Sequence, residues 1–214
     1  MNSASSLVTG DDRKQRCRWC VGDVEYMRYH DQEWGRPVTS EDRIFEKICL
    51  EGFQSGLSWL TILRKRPAFR LAFANFEPKR VAKYSARDVN RLLSNEGIVR
   101  HRGKIEATIN NAHATLKLQQ ELGSLAKFVW SFCPENSTNT KRRTPKKNTD
   151  IAVSTPESEA LSKALRGRGF AFVGPTTMYA LMQSVGLVND HFEGCWVRAE
   201  CEKKRVIALK KMLA

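Results

Sequence analysis

The sequence predicts an all-α fold. Apolar residues recur at helical spacing through most of the chain, and helix-start signals stand ahead of several of those runs. No segment shows a convincing strand alternation. The 214 residues suffice for one well-buried domain, alone or with a small annex.

Residues 1–14 are small and polar and are expected to be disordered, with order beginning near Cys17. The segment CRWCVGDVEYMRYHDQEWG then gathers Trp19, Tyr26, Tyr29 and Trp34 around Cys17, Cys20 and His30. Its aromatics are mixed with charges and are not periodic, so they read either as a cavity lining or as packing on a domain flank. A helix follows, opened by Thr39-x-x-Asp42 and carrying Ile44, Phe45, Ile48 and Cys49. Glu51 stands three residues after Ile48 and seven after Ile44, on the buried side. A carboxylate there is costly unless something specific bonds to it. The alternative is a helix that frays by Gly52 and lets Glu51 reach water.

The run FQSGLSWLTILRKR reads as a turn at Ser55-Gly56 and a helix bearing Leu57, Trp59, Leu60 and Leu63. Pro67 and Phe69 begin another helix, Pro78 marks a further start, and Ser85-x-x-Asp88 caps a helix with Val89, Leu92 and Leu93. A basic turn (Arg100, His101, Arg102, Lys104), in which Arg100, Arg102 and Lys104 read either as phosphate contacts or as solvated surface cations, leads into a long helix through Leu118, and residues 124–132 supply a short apolar one. Residues 134–156 lack periodicity and read as an unusually long, flexible basic loop, including the run Lys141 to Lys147. Thr155-Pro156-Glu157 starts the next helix.

The stretch GFAFVGPTTMYALMQSVGLVNDHFEGC contains a small-residue turn, Val173-Gly174-Pro175-Thr176, and an apolar helical run through Met178, Leu181, Met182 and Val185 that Gly186 ends. Amides at such a helix start attract anions, so the turn is a candidate phosphate seat. The domain plan is therefore a disordered 1–14, one domain over 15–199, and a basic helical tail over 200–214.

The formal charge is +13, from 36 Lys+Arg against 23 Asp+Glu, which suggests a polyanion partner, nucleic acid first. No apolar run approaches a membrane span, and the start MNSASSLVTGDDRK lacks a signal-peptide core. A soluble, cytoplasmic monomer is expected, nucleoid-associated if bacterial. The six cysteines are spread through a core-forming sequence, which favours thiols or metal ligands over a disulfide scaffold.

His191 and Cys195 are four residues apart, so on a helix they would share one face and could grip one metal. Two more ligands are best sought near Cys17, with His30 the histidine of that segment. Cys17, His30, His191 and Cys195 would form a closed tetrahedron, a structural zinc stapling the chain ends. Cys20 could replace one ligand, and ordinary buried thiols and core histidines are the plainer reading.

The phrases YHDQEWG, ICLEGFQSGLSW, GIVRHRGKI, FVWSF and GRGFAFVGPTTMYALMQSVGLVNDH closely resemble the bacterial DNA-3-methyladenine glycosylase I family, from about Cys17 to Cys195. The resemblance implies a helix-hairpin-helix glycosylase fold, excision of 3-methyladenine from alkylated double-stranded DNA, and a structural zinc on Cys17, His30, His191 and Cys195. It implies a base pocket with Glu51 as its functional carboxylate and Trp19, Tyr26, Tyr29, Trp34 and Trp59 as its lining. It also implies DNA contacts through Leu57, as a wedge, and through the hairpin residues Val173, Gly174 and Thr176. The hairpin has a single glycine where many superfamily members have two. No hairpin lysine suggests a Schiff base, so the enzyme reads as monofunctional, and Asp190 reads as support for the zinc segment. The competing classes are a non-catalytic helix-hairpin-helix DNA-binding module and a zinc-stabilised interaction domain. Glu51 with Trp59 and Tyr29, a carboxylate among aromatic rings, argues against the first, and the second would need neither the hairpin nor the basic surface.

Overall fold

The protein is described here by a computed structural model, which covers residues 5–134 and 143–214. Residues 1–4 of the expected disordered start and Lys141-Arg142 of the basic run lie outside the described residues.

Ten α-helices make up most of the described residues: α1 (Val24–Gln32), α2 (Glu41–Gln54), α3 (Trp59–Ala72), α4 (Pro78–Val81), α5 (Ala86–Leu93), α6 (Arg102–Leu122), α7 (Leu125–Trp130), α8 (Pro156–Gly167), α9 (Pro175–Ser184) and α10 (Arg198–Leu213). The fold is thus mainly helical, with one correction. Leu7–Thr9 (β1) pairs antiparallel with Gln15–Cys17 (β2), Leu7 opposite Cys17. Order therefore starts before Cys17, inside the segment expected to be disordered. Three-residue strands are too short to leave a period in the sequence, and their stability comes from elsewhere. Arg16 is clamped by Asp12 at 2.7 Å and by Asp31 at 2.8 Å, and Trp196 donates its backbone N–H to Gln15 at 3.0 Å.

Helix α2 is the axis of the core. Every residue from Ile44 to Phe53 is buried, and α3, α6, α7 and α9 pack around it. Such a helix would lose its first turn without partners, and Ser40 rather than Thr39 stands at its N-cap. Glu41 looks outward from that turn: it accepts from the N–H groups of Leu125 at 2.9 Å and Ala126 at 3.1 Å, capping α7. Within the buried stretch, Glu46 is neutralised by Arg43 at 2.5 Å and by Arg70 at 2.8 Å.

Pro67 lies inside α3 instead of opening a new helix. Proline forfeits one intrahelical bond there, a loss offset by the burial of Leu63, Arg66 and Phe69 on the same helix. Other start signals act as read. Ser85 donates its N–H to Asp88 at 3.0 Å, and the Thr155 hydroxyl accepts from the N–H of Ser158 at 3.3 Å ahead of α8. The C-terminal segment is not a detached tail: α10 buries Cys201, Arg205, Ala208 and Met212 and packs on α7. No described helix is long and apolar enough to cross a membrane.

Gly186 ends the α9 run with φ +76°, and the extended segment Arg36–Val38 crosses directly over it. An added Cβ would meet the Arg36 carbonyl carbon and the Pro37 nitrogen at 2.8 Å. Gly123, with φ +82°, has nothing within 4 Å of an added Cβ. Gly123→Ala should therefore cost about 1 kcal/mol, the left-handed penalty alone. Gly186→Ala should cost about 3 kcal/mol or more, because backbone must also move. Urea denaturation of the two variants measures the difference.

Candidate active site

Glu51 is held in α2 three residues before the helix ends at Gln54, and it is 4 % exposed. The frayed-end alternative is excluded. Burial pushes its carboxyl well above the usual carboxylate range, and the ammonium of Lys47 opposes that shift. The side chain borders a cavity of about 480 Å³, a size that admits one planar bicyclic ring.

Aromatic residues from three elements wall this chamber. The 3₁₀ turn Arg18–Cys20 supplies Trp19, α1 supplies Tyr26 and Tyr29, and α3 supplies Trp59 from its first turn. Trp34 follows just after α1. The rings brace one another: Trp19 meets Tyr26 at 4.9 Å and Trp34 at 5.0 Å edge-on, and Tyr29 tilts on Trp59 at 5.5 Å. All five aromatics expected in a pocket thus line one cavity with Glu51.

Charged clamps fix these walls. Asp23 caps α1 through the N–H of Tyr26 at 2.9 Å and also binds Arg64 of α3 at 2.5 Å. Glu33, past the other end of α1, takes both guanidinium nitrogens of Arg66 at 2.6 Å. Helices α1 and α3 therefore cannot slide without breaking ion pairs. On the opposite side the chamber is lined by Ala180, Gln183 and Ser184 of α9 and by Asp190, which accepts from Tyr179 at 2.6 Å and from Gln183 at 2.8 Å.

Sequence reasoning missed one wall. Asn148, Ile151, Ala152 and Val153 line the chamber, although they belong to the stretch read as a plain loop. The signal available was small: Ile151 and Val153 are the apolar residues of a polar segment, and Asp150 folds the turn by accepting from the N–H groups of Lys146 at 2.8 Å and Lys147 at 3.0 Å.

Beside the chamber lies a thiol–imidazole cluster. The ligand atoms of Cys17, His30 and Cys195 lie within 4.8 Å of one another, all buried, and could hold a metal ion. His30 turns Nδ1 to Asp31 at 2.8 Å and Nε2 to the Cys195 sulfur at 3.4 Å. The hydrogen bond from Cys17, and then His30, draws the Cys195 thiol well below its ordinary range, so the cluster favours a thiolate. His191 is adjacent, its ring 4.9 Å from that of His30, with Nδ1 at 3.1 Å from Asn189 Oδ1. Its Nε2 is buried and has no hydrogen-bond partner among the described residues. His191 and Cys195 do not share a helix as expected. They sit in an irregular segment between α9 and α10, where a turn closed by Cys195 N–H on the Phe192 carbonyl at 2.9 Å brings the sulfur round. The Cys20 thiol is engaged with the Cys17 carbonyl at 3.1 Å. Trp34 joins the two sites, packing edge-on to His191 at 4.6 Å while lining the chamber.

The residues expected to touch DNA fall in two places. Leu57 is 41 % exposed and is not a core leucine. Its turn is gripped from below by Lys104, whose Nζ donates to the carbonyls of Phe53 at 2.9 Å and Ser55 at 2.5 Å, so Lys104 is no free surface cation. Arg100 and Arg102 are exposed and pair with Glu96 at 3.6 Å and Glu106 at 3.2 Å. In the turn between α8 and α9, the Val173 side chain is buried, Gly174 is the N-cap of α9, and Thr176 is exposed in its first turn. Asn111 of α6 fixes this turn at both ends of one residue, accepting from the Ala171 N–H at 2.8 Å and donating to its carbonyl at 3.0 Å. Phe172 is 40 % exposed, with a left-handed φ of +56°.

An aromatic chamber lined by two buried carboxylates, Glu51 and the Asp190 held by Tyr179 and Gln183, suits a flat guest that is cationic or bears an amino group. The chain belongs to the methyladenine glycosylase family, whose profile matches residues 19–199. It is similar to DNA-3-methyladenine glycosylase 1 of Escherichia coli (strain K12), 49 % identical over 181 residues that cover 85 % of this chain and 95 % of that protein. A crystal structure of 3-methyladenine DNA glycosylase I superposes with a TM-score of 0.80 at 50 % identity, over 85 % of this chain and 98 % of that one. A Staphylococcus aureus 3-methyladenine DNA glycosylase I, solved to define 3-methyladenine recognition, superposes with a TM-score of 0.80 at 37 % identity, over 86 % and 96 %.

Proposed function

We propose that the chain is a monofunctional DNA glycosylase that flips 3-methyladenine out of alkylated duplex DNA and removes it by hydrolysis. One observation carries this reading: Glu51, a carboxylate 4 % exposed, stands in a chamber walled by Trp19, Tyr26, Tyr29, Trp34 and Trp59. Burying a carboxylate is unfavourable unless a partner or a guest offsets it, and a pure DNA-binding module gains nothing from one among aromatic rings.

The chemistry follows from the lesion. Methylation at N3 makes the nucleotide's base cationic, so the ring faces and Glu51 both attract it. Stacking lost on leaving the duplex is replaced by stacking on the chamber rings. Glu51 accepts from the exocyclic amino group of adenine, where guanine offers a carbonyl oxygen and is repelled. Trp59 Nε1, buried without a partner among the described residues, is a donor that a bound base can satisfy. Water adds at C1′ as the glycosidic bond breaks, the bond electrons leave with the base, now neutral 3-methyladenine, and the proton that the added water sheds passes to solvent. The leaving group is already activated, so positioning and charge suffice without a strong general acid. The monofunctional reading rests on the hairpin, in which no lysine suggests a Schiff base; Lys47 stands behind the chamber rings rather than in the lining.

The turn between α8 and α9 is read as the hairpin of a helix-hairpin-helix element, its phosphate seat formed by the amides at Gly174 and Thr176 with Val173 as the buried anchor. Leu57 is read as the wedge that fills the gap left by the flipped base. The metal is read as a structural zinc on Cys17, His30, His191 and Cys195. The orphaned Nε2 of His191 and the oxygen acceptors on both Nδ1 atoms fit that role. Zinc supplies no step of the reaction; it would hold Trp19 and Trp34 in place. A cytoplasmic monomer completes the reading.

Glu51→Gln should lower release of 3-methyladenine from methylated DNA by on the order of 10²-fold, while duplex binding persists. Full base release by this variant would remove the pocket assignment.

Protein purified without chelator should carry one zinc per chain by elemental analysis. Cys17→Ser should lose it, and Cys20→Ser should keep it, since that thiol is engaged with a backbone carbonyl.

Gly174 has φ −63° and space for a Cβ, which would lie 3.5 Å from the Arg166 guanidinium. Gly174→Asp should therefore fold, yet set a negative charge at the phosphate seat and weaken duplex binding roughly tenfold or more. Binding of free 3-methyladenine should be unchanged. Equal loss of both affinities, by calorimetry on the folded variant, would mean that Gly174 shapes the pocket instead.

A further inference from the structure

Lys47 is a buried charge that the reaction above leaves without a task. It lies on α2 one helical turn before Glu51, so the two share a face, and it is 2 % exposed. Its Nζ sits 4.9 Å from the centre of the Tyr29 ring and 5.4 Å from that of Trp59, two walls of the chamber. The ammonium has three donors, and its hydrogen bond among the described residues is a long one, to Tyr29 Oη at 3.4 Å. Hydrogen bonding therefore does not account for its position.

The other charges around it are largely closed on themselves. Glu33, arriving from α1, is held by Arg66 of α3 at 2.6 Å. Arg43, on α2, and Arg70, from α3, both bind Glu46. On the chamber side, α9 brings the Ser184 hydroxyl towards Glu51, and Asp190 is held by Tyr179 and Gln183. Tyr26 and Tyr29 are neutral phenols whose ionisation burial opposes. Lys47 and Glu51 are left to answer each other across the rings.

We propose that Lys47 is the resident counter-charge of Glu51, a positioning residue whose ammonium, seated against the Tyr29 and Trp59 rings, keeps that carboxylate ionised inside an apolar wall. The inference rests on the glycosylase reading of the chamber. Burial opposes both charges: it pushes the Glu51 carboxyl up and the Lys47 ammonium down, and in each case the other residue is the first influence to resist. Without the ammonium, Glu51 takes up its proton at a higher pH. A protonated Glu51 loses its attraction for a cationic base and its capacity to accept from the amino group with both oxygens. Lys47 thus sets the pH above which the chamber works, without touching the base.

The test is the pH dependence of single-turnover base release from methylated duplex DNA, for the unaltered protein and for Lys47→Met, Lys47→Gln and Lys47→Arg. In the unaltered protein the rate should fall as the pH drops through neutrality. Lys47→Met and Lys47→Gln should each move that midpoint upward by about one pH unit, with the plateau above it retained. Lys47→Arg keeps a cation and should leave the midpoint in place. Thermal melts establish which variants fold, and the Gln and Arg pair carries the comparison if the Met variant does not. A lowered rate at every pH with an unmoved midpoint is the mark of a merely structural lysine, and it overturns the inference alone. No base release by the unaltered protein at any pH overturns the glycosylase reading, and this inference with it.

Discussion

The structure depends on burying charge along α2. A helix enclosed by four others would ordinarily be apolar all round, yet this one carries Glu46, Lys47 and Glu51 within its buried stretch. Each is tolerated for a different reason. Glu46 is matched by two arginines, which ties α3 to α2. Lys47 lies against two aromatic rings. Glu51 borders a cavity that a guest can fill. The three answers organise the molecule in turn: one fixes a helix pair, one backs the chamber wall, and one is the reason for the chamber.

The chamber and the thiol–imidazole cluster are one construction. Trp19 packs on His30 at 5.3 Å and Trp34 on His191 at 4.6 Å, so rings that wall the cavity also roof the cluster. Gly35 makes this contact possible. With φ +72° it turns the chain after Trp34, and a Cβ there would fall 2.6 Å from the His191 ring. The aromatics are held by neighbouring residues that have no contact with a guest, which is how a binding surface keeps its shape while empty.

Much of this was legible from the residues. Periodicity and caps located most helices, because α5 and α8 announce themselves through local hydrogen bonds that any Ser-x-x-Asp or Thr-Pro start can make. Glu51 could be singled out because helical phase alone put a carboxylate on a buried face. What escaped was non-local. Residues 7–9 form a strand only because Gln15 and Trp196 meet, and Ile151 becomes a wall only because α9 and α1 leave a gap. Lys104 read as a surface cation because its partners are carbonyls, which carry no residue-type signature. Lys47 left no trace for the same reason: a lysine against aromatic rings is set by three elements meeting, not by its neighbours in sequence.

The meeting of Cys17 and His30 with Cys195, far along the sequence, has a consequence for how the molecule comes into being. Cys17 and His30 leave the ribosome long before Cys195, so the cluster cannot close until the segment bearing Cys195 has been made. Trp19 and Trp34 lean on that closure. The helices around α2 can assemble beforehand, but the chamber takes its final form only with the segment that bears His191 and Cys195. A translation product that stops short of Cys195 would keep much of the hydrophobic interior without the closed cluster behind Trp19 and Trp34, so that synthesis itself withholds the finished chamber until that segment is made.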